Sequence, residues 1–441
     1  MPTVLRDRTY RRLFTAQVVA LLGTGLATVA LGLLAYDLAG ARAGSVLGTA
    51  LAIKMVAYVG IAPVIGALGA RIPRRTLLVG SDLLRAGAAS SLPFVTQVWQ
   101  VYVLIFVLQA ASAAFTPTFQ ALVPDVLPAE RDYTRALTLS RLAYDLESLF
   151  SPALAAALLT LMSYHRLFLG TVGGFLASAV LVVSAVLPKP AAVPRGRGAA
   201  TAGIRLFLVT PSLRALLALD LAVAAASATV TVNTVVYVRD SLGRGTGDVA
   251  FALGAYGAGS MLVALLLPRL LDRLADRTVM LAGGLLLTPV FVGLAVISGP
   301  GGGSWRWAAL LGSWAAFGAA CSTVLTPTGR LIRRAAPPEE RPPAYAAQFS
   351  LSHACWLLTY PLAGWLGAAA GLRSAVLVLG ALAAAAAIAA VRMWPAVDAP
   401  AHVHPELPAG HPHVAGAART AGGWRHSHRP VRDALHPAPA G

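Results

Sequence analysis

Three ionisable side chains open a segment that is otherwise apolar enough to cross a membrane. Arg141, Asp145 and Glu147 begin a stretch that runs through Pro152 to Leu161. Ionisable residues are costly inside a bilayer, so they usually face a cavity or a partner. Arg141 and Asp145 stand at i and i+4 and can pair on one helix face, whereas Glu147 needs a proton, a cation or another basic group. The segment therefore predicts either a structural ion-pair network or a proton- or cation-exchange site.

Proton coupling requires a group that a proton and the substrate occupy in turn. Removal from water favours the neutral form of a carboxylate, and a nearby Arg or metal ion favours the charged form, so Asp145 and Glu147 are the first candidates. Asp220 and Lys54 also lie within apolar segments. Lys54 can be the structural partner of an acid, or it can titrate during transport. The sequence contains no Gly-x-x-x-x-Gly-Lys-Ser/Thr phosphate loop, so we expect no cofactor and a proton gradient as the driving force.

The composition predicts an all-α integral membrane protein. The 441 residues are 57% hydrophobic and 12% charged, whereas soluble domains carry about 25% charged residues. The net charge of +17 does not indicate nucleic-acid binding, because the arginines cluster between apolar runs. A span needs about 20 apolar residues, and twelve candidates occur: Phe14–Tyr36, Ser45–Gly69, Leu77–Val95, Val101–Phe119, Ala136–Leu161, Leu167–Leu187, Leu213–Val238, Val249–Leu267, Val279–Ile297, Ala308–Leu325, Ala344–Ala369 and Ser374–Val391.

Every second loop between these spans is rich in arginine. The positive-inside rule then places both termini in the cytoplasm, which predicts a multi-pass protein of a bacterial cytoplasmic membrane. Thr-Pro-Thr at 116–118 recurs at 326–328, and Pro-x-Glu-Arg follows each copy at the same spacing. We expect two six-helix halves at 1–187 and 211–394, a linker at 188–210 and a disordered cytoplasmic tail at 395–441.

Residues 66–78, Gly-Ala-Leu-Gly-Ala-Arg-Ile-Pro-Arg-Arg-Thr-Leu-Leu, resemble the Gly-x-Leu-x-Asp-Arg-x-Gly-Arg-Arg signature of the major facilitator superfamily. Ala70 stands where that family has an acid, while the second half keeps Asp272 before Arg273. Asp82 and Arg85 either supply a substitute charge pair or simply neutralise each other at i and i+3. The gating residues that the resemblance implies are Gly66, Arg71, Arg74, Arg75, Asp272 and Arg273, and the candidate substitute pair adds Asp82 and Arg85.

The tail contains seven of the nine histidines of the chain: His402, His404, His411, His413, His426, His428 and His436. Clustered imidazoles favour binding of a divalent transition metal. The alternative is that histidine has accumulated in this segment without a role.

Four segments, at 115–120, 140–147, 346–356 and 402–413, resemble the nickel-resistance exporters of the same superfamily. That resemblance implies exchange of nickel, and sometimes cobalt, for protons. His353, inside the eleventh span, is a candidate ligand beside Asp145 and Glu147, although a single histidine in a span is more often a hydrogen-bonded packing residue.

These observations lead to a main hypothesis and two alternatives. The main hypothesis is a proton-driven nickel or cobalt exporter that works as a monomer, with the lipid bilayer and a small ion or molecule as its partners and without nucleic acid. One alternative exports a drug-like or siderophore-like organic molecule. The other is a membrane sensor or scaffold with a metal-binding tail. We do not expect an enzyme, because the polar loops contain no nucleophile–base pattern.

Overall fold

The structure is a computed structural model that describes residues 4–39, 43–68, 72–188, 199–299, 303–338 and 340–394. It also describes 402–404, 407–408, 411, 414, 417–420 and 423–426. Within these residues, thirteen α-helices precede three short strands. Residues up to Met393 form one compact unit and those from Trp394 form another.

The helices account for all twelve predicted spans, each of which overlaps a helix. Their bounds are α1 Arg8–Ala39, α2 Ala43–Leu68, α3 Arg74–Ser91, α4 Val98–Val126, α5 Glu130–Leu159, α6 Tyr164–Ser184, α7 Ala199–Val209, α8 Pro211–Val236, α9 Thr246–Leu271, α10 Asp276–Ile297, α11 Trp305–Leu325, α12 Thr328–Ala335 and α13 Arg341–Met393. Eight helices of the described chain are long and apolar enough to cross a membrane.

The segment α13 spans 53 residues and consists of two helices that meet at the non-helical residue Gly371. Gly371 has φ 81° and ψ 163°, a backbone conformation that a residue with a Cβ avoids. This residue falls between the last two predicted spans, so α13 consists of two arms, 341–370 and 372–393.

Two short helices were not predicted from the sequence. α7 lies in the segment expected to be a linker, and it packs against α13 and α2. α12 follows Thr326-Pro327, where the proline ends the regular pattern of α11. Both supply contacts at the arginine-rich end of the bundle, which we define by Arg74, Arg330, Arg333, Arg334 and Arg341.

The described helices pack mainly within two groups. α1, α3 and α4 pack with α6 and α2, whereas α8, α9 and α10 pack with α11 and α13. The groups meet where α5 contacts α9 and where α2 contacts α13. Residues on α2, α5, α9 and α13 are therefore placed to act on both groups at once.

Two glycines allow α9 and α11 to approach closely. A Cβ on Gly318 would overlap the carbonyl oxygen of Tyr256, and a Cβ on Gly259 would overlap that of Ala315. Small residues commonly serve this purpose between membrane helices. The adjacent Gly312 on α11 has open space around it and provides a matched control.

We expect Gly318→Ala to lower the free energy of unfolding by about 1–3 kcal/mol, the usual cost of overpacking. Gly312→Ala should leave stability unchanged or raise it slightly, because alanine favours helix more than glycine. Thermal unfolding of the two variants in the same detergent provides the comparison. Equal midpoints for Gly318→Ala and Gly312→Ala would contradict the close approach.

The second unit contains a small antiparallel sheet with strand order β1-β3-β2. Its strands are β1 His402–His404, β2 Ala418–Thr420 and β3 Gly423–His426. The register pairs His402 with His426 and His404 with Trp424. The described part of the tail thus has secondary structure that its composition did not predict.

Candidate functional site

The predicted pair on α5 is present and is shared with α9. Arg141 Nη2 lies 3.0 Å from Asp145 Oδ1, which confirms that these two residues pair on one helix face. Ser260 Oγ on α9 donates to Asp145 Oδ2 at 2.7 Å and accepts from Arg141 Nη2 at 2.9 Å. Because Arg141 and Asp145 are both engaged, this triad favours a structural ion-pair network over a proton- or cation-exchange site for these two residues.

Glu147 has different surroundings from Asp145, although it is only two residues away. Its side chain is half-buried and forms no direct ion pair with any described residue. A Cβ on Gly25 of α1 would lie 2.9 Å from Glu147 Oε1, so the carboxylate lies against α1. The Lys54 ammonium on α2 is the described charge that interacts with Glu147. The carboxylate is thus close to a positive charge without an ion pair.

Four rings beside Lys54 form what we call the aromatic cluster: Tyr58, Phe349, His353 and Trp356. Lys54 Nζ lies 5.6 Å from the centre of the Tyr58 ring. Tyr58 is 4.8 Å from Phe349 and 4.7 Å from His353, centre to centre, and His353 is 5.1 Å from Trp356. The cluster joins α2 to the first arm of α13.

His353 is held in place by its own helix. Its Nδ1 lies 2.6 Å from the carbonyl oxygen of Phe349, an acceptor that requires the proton on Nδ1. The ring also packs on Phe349 at 4.2 Å between centres. These contacts match a hydrogen-bonded packing histidine, the second of the two roles considered from the sequence.

The proposed metal ligands do not come together in the described residues. No group of three or more His, Cys, Asp or Glu side chains that could hold a metal ion occurs in that part of the chain. Asp145 is engaged by Arg141, and His353 lies in the aromatic cluster. Of the tail histidines, His413, His428 and His436 lie outside the described residues, so their roles stay predictions.

Asp220, the remaining predicted coupling residue, contacts α13. Gln348 Nε2 donates to Asp220 Oδ2 at 2.8 Å. Asp220 is 2% exposed and Gln348 is 7% exposed, so the pair is buried between α8 and the first arm of α13.

The candidate gating residues lie at several different places in the fold. Arg74 pairs with Asp125 at 2.5 Å, and Arg75 donates to the carbonyl oxygen of Ala185 at 2.6 Å, so both join elements near the start of α3. Asp272 and Arg273 are exposed after the end of α9. Gly66 lies near the end of α2, and Arg71 lies outside the described residues.

Asp82 and Arg85 form a buried ion pair within the first group of helices. Ser178 Oγ on α6 donates to Asp82 at 2.7 Å, and the guanidinium of Arg85 lies 4.3 Å and 4.5 Å from the ring centres of Phe115 and Phe175. These contacts indicate that Asp82 and Arg85 neutralise each other, rather than supplying a substitute charge pair for gating.

A larger ion-pair network occupies the arginine-rich end, and we call it the Arg330 network (Glu130, Asp276, Arg330, Arg334). Arg330 Nε lies 2.9 Å from Glu130 and 3.0 Å from Asp276. Arg334 lies 2.5 Å from Glu130 and 2.8 Å from Asp276. The network therefore joins α5 to α10 and α12.

A second contact at the same end involves two tyrosines. The hydroxyl oxygens of Tyr133 on α5 and Tyr345 on α13 are 2.6 Å apart, and Tyr345 also donates to the carbonyl oxygen of Gly329 at 2.9 Å. Neither the Arg330 network nor the contact between Tyr133 and Tyr345 was identified from the sequence. The repeated Pro-x-Glu-Arg segment could have drawn attention to this end of the bundle, because its first copy contains Glu130 and its second ends on Arg341.

Comparison with known proteins identifies the family. The sequence profile described as the Major Facilitator Superfamily matches residues 13–311 and 221–432. Relatives include the uncharacterised transporter YfiS of Bacillus subtilis (31% identical over 131 residues, 30% of this chain and 31% of YfiS). Another is Macrolide efflux protein A of Enterococcus faecalis (28% over 153 residues, 32% of this chain and 47% of that protein). The chain thus matches less than half the length of either relative.

Solved structures share the fold over nearly the whole helical unit. The human organic anion transporter MFSD10 matches with a TM-score of 0.70 and 14% identity, over 87% of this chain and 99% of that one. The fucose:proton symporter of E. coli matches with a TM-score of 0.69 and 17% identity, over 88% and 98%. The profile covers most of the sequence, and these folds agree with the observed helix order, so the chain belongs to the Major Facilitator Superfamily.

Proposed function

We propose that the protein is a proton-coupled exporter of an organic molecule, built from twelve membrane-crossing helices in two halves. The two packing groups support the halves. With α5 assigned to it, the first group contains the six helices α1–α6. The second contains α8–α11 and the two arms of α13, which also makes six. The recurring Thr-Pro-Thr segment supports the same division. With the termini in the cytoplasm, the halves would rock about a central site in the manner of transporters with parallel repeats.

The position of Glu147 carries the proposal. A carboxylate at membrane depth is retained when it has a task, and Glu147 has no direct ion pair in the described chain that would explain it as structural. Lys54 acts on it from α2 without closing a salt bridge. Glu147 can therefore alternate between a proton and an interaction with Lys54 or with the substrate.

The aromatic cluster favours an organic substrate over a metal ion. Flat rings next to an ammonium group suit an amphipathic molecule, which gains from apolar contact and from one or two polar groups that fix its orientation. A divalent cation near Glu147 would be repelled by the Lys54 ammonium. The relative named Macrolide efflux protein A makes a macrolide the first compound to test.

The test is proton movement in liposomes that contain the full-length protein and a pH-sensitive dye. We expect a macrolide to drive proton movement across the membrane, while Ni²⁺ and Co²⁺ do not. A chain truncated from Asp398 should behave like the full-length protein. If no organic compound moves protons and Ni²⁺ does, the proposal is wrong and the metal alternative holds.

One observation favours nickel or cobalt export as the second candidate. The register of the tail sheet pairs His402 directly with His426, and residues paired in this way are neighbours on one face of a sheet. Two imidazoles at such a position suit Ni²⁺ or Co²⁺. In this case the tail would collect metal for the transporter, and truncation from Asp398 would raise the Ni²⁺ concentration needed for half-maximal proton movement.

A further inference from the structure

A buried carboxyl–amide pair between α8 and α13 has two atoms without a hydrogen-bond partner. Gln348 Nε2 donates to one oxygen of Asp220. The second oxygen of the acid, Oδ1, and the amide oxygen of Gln348, Oε1, are both buried and lack a hydrogen bond in the described structure. Both of these atoms are acceptors.

The unpaired atoms are difficult to reconcile with a charged Asp220. A buried carboxylate normally has a cation or several donors around it, because burial of an unpaired charge is costly. Asp220 forms no ion pair in the described part of the chain and receives one hydrogen bond. Two buried acceptors without a donor would add a further desolvation cost.

A single proton removes both problems. A neutral carboxylic acid has one O–H donor in addition to its acceptor oxygen. With the proton on Oδ1, Asp220 can donate to Gln348 Oε1 while Gln348 Nε2 donates to Oδ2, which gives two reciprocal hydrogen bonds. Buried polar groups are satisfied in this way in most proteins.

The groups around Asp220 do not provide a counter-charge. Among the described side chains, Cys355 on α13 is the other titratable group that interacts with it. A neutral thiol carries no positive charge, and this one donates to the carbonyl oxygen of Leu351 at 3.4 Å. The other helices packed on α8, which include α10 and α11, direct no described charged group at Asp220.

We propose that Asp220 carries a proton in this conformation, as the acid partner of Gln348, and that the pair is a proton-binding site of the transport cycle separate from Glu147. The second part of this proposal rests on the proposed function. Movement of α8 away from α13 would remove the amide partner and admit water, so the O–H bond of Asp220 would break and its proton would pass to water.

Infrared difference spectroscopy on the full-length protein in membranes tests the first part without any substrate. A protonated carboxylic acid has a carbonyl stretch that a carboxylate lacks. We expect this band in wild type and in Glu147→Gln, with its Asp220 component lost in Asp220→Asn. Asp220→Asn should fold, because the asparagine amide can form the same reciprocal pair with Gln348.

Gln348→Leu provides the second variant. It removes the amide, so the Asp220 carbonyl band should shift to the higher frequency of a less hydrogen-bonded acid. A band that is identical in wild type, Asp220→Asn and Gln348→Leu would overturn the proposal, since Asp220 would then be charged. The spectra do not depend on the substrate, so failure of macrolide-driven proton movement would reject the proposed function and leave this result standing.

Transport assays test separately whether Asp220 takes part in the transport cycle. Asp220→Asn should lose proton-driven accumulation of the substrate but retain exchange of labelled for unlabelled substrate, because exchange needs no net proton transfer. Retention of proton-driven accumulation would overturn the second part of the proposal.

Discussion

Replacement of Glu147 by glutamine is expected to abolish substrate-driven proton movement while the protein remains folded. Glutamine has the shape of the protonated acid but cannot release a proton. Glu147 has no direct ion pair in the described chain, so loss of its charge leaves no salt bridge broken. We expect the unfolding midpoint of Glu147→Gln to match that of wild type, and the proton signal in liposomes to fall to the level of empty vesicles.

Asp145→Asn is the matched control, two residues away on the same helix. It removes the charge from a triad with Arg141 and Ser260, which should cost about 1.5–3 kcal/mol, the usual contribution of a hydrogen bond to a charged group. We expect a lower unfolding midpoint with proton coupling retained. The opposite pattern, in which folded Asp145→Asn loses coupling and Glu147→Gln keeps it, would transfer the coupling role to Asp145.

The helices could be predicted from the sequence because the bilayer imposes length and hydropathy on each span. The i, i+4 pair of Arg141 and Asp145 was also predictable, since helix geometry alone brings those side chains together. The division of α13 was also predicted, because the sequence indicated two separate spans on either side of 370–373, and the non-helical Gly371 separates the two arms.

Contacts between helices could not be predicted, because no rule of local spacing relates residues far apart in the chain. Nothing in the sequence brings Gln348 to Asp220, or Ser260 to Asp145. The metal hypothesis depended on such a contact between His353 and α5, and the structure instead places His353 among the rings beside Lys54. The role of Glu130 was missed for the same reason, since its partners belong to α12, an element that the sequence did not predict.

Simultaneous removal of the two arginines of the Arg330 network should open the arginine-rich end of the bundle. Arg330 and Arg334 are the described groups that join Glu130 of α5 to Asp276 of α10. Asp276 is 4% exposed, and removal of a charged partner from a buried acid destabilises the closed arrangement by about 3–5 kcal/mol. Arg330→Gln with Arg334→Gln therefore favours states in which α5 has separated from α12.

Water access to Thr138 on α5 can report this opening. Thr138 is fully buried, one turn from Thr134, whose hydroxyl accepts from Arg330 at 3.2 Å. In a chain with Cys321 and Cys355 replaced by alanine, a thiol introduced as Thr138→Cys should react slowly with a polar maleimide and much faster after the double arginine substitution. Salt should weaken the pair of Arg334 with Glu130 more than the pair of Arg330 with Asp276, because the first is about half exposed and the second is buried.

Arg135→Gln is the control for a general loss of positive charge at this end. Arg135 pairs with Asp132 at 3.3 Å within α5, and a partly exposed pair of this kind contributes about 0–1 kcal/mol. Its loss should leave the labelling rate at Thr138→Cys unchanged. If Arg135→Gln accelerates labelling as much as the double substitution does, net charge rather than the Arg330 network keeps this end closed. If neither accelerates it, the contact between Tyr133 and Tyr345 suffices, and Tyr345→Phe should then produce the opening that the arginines do not.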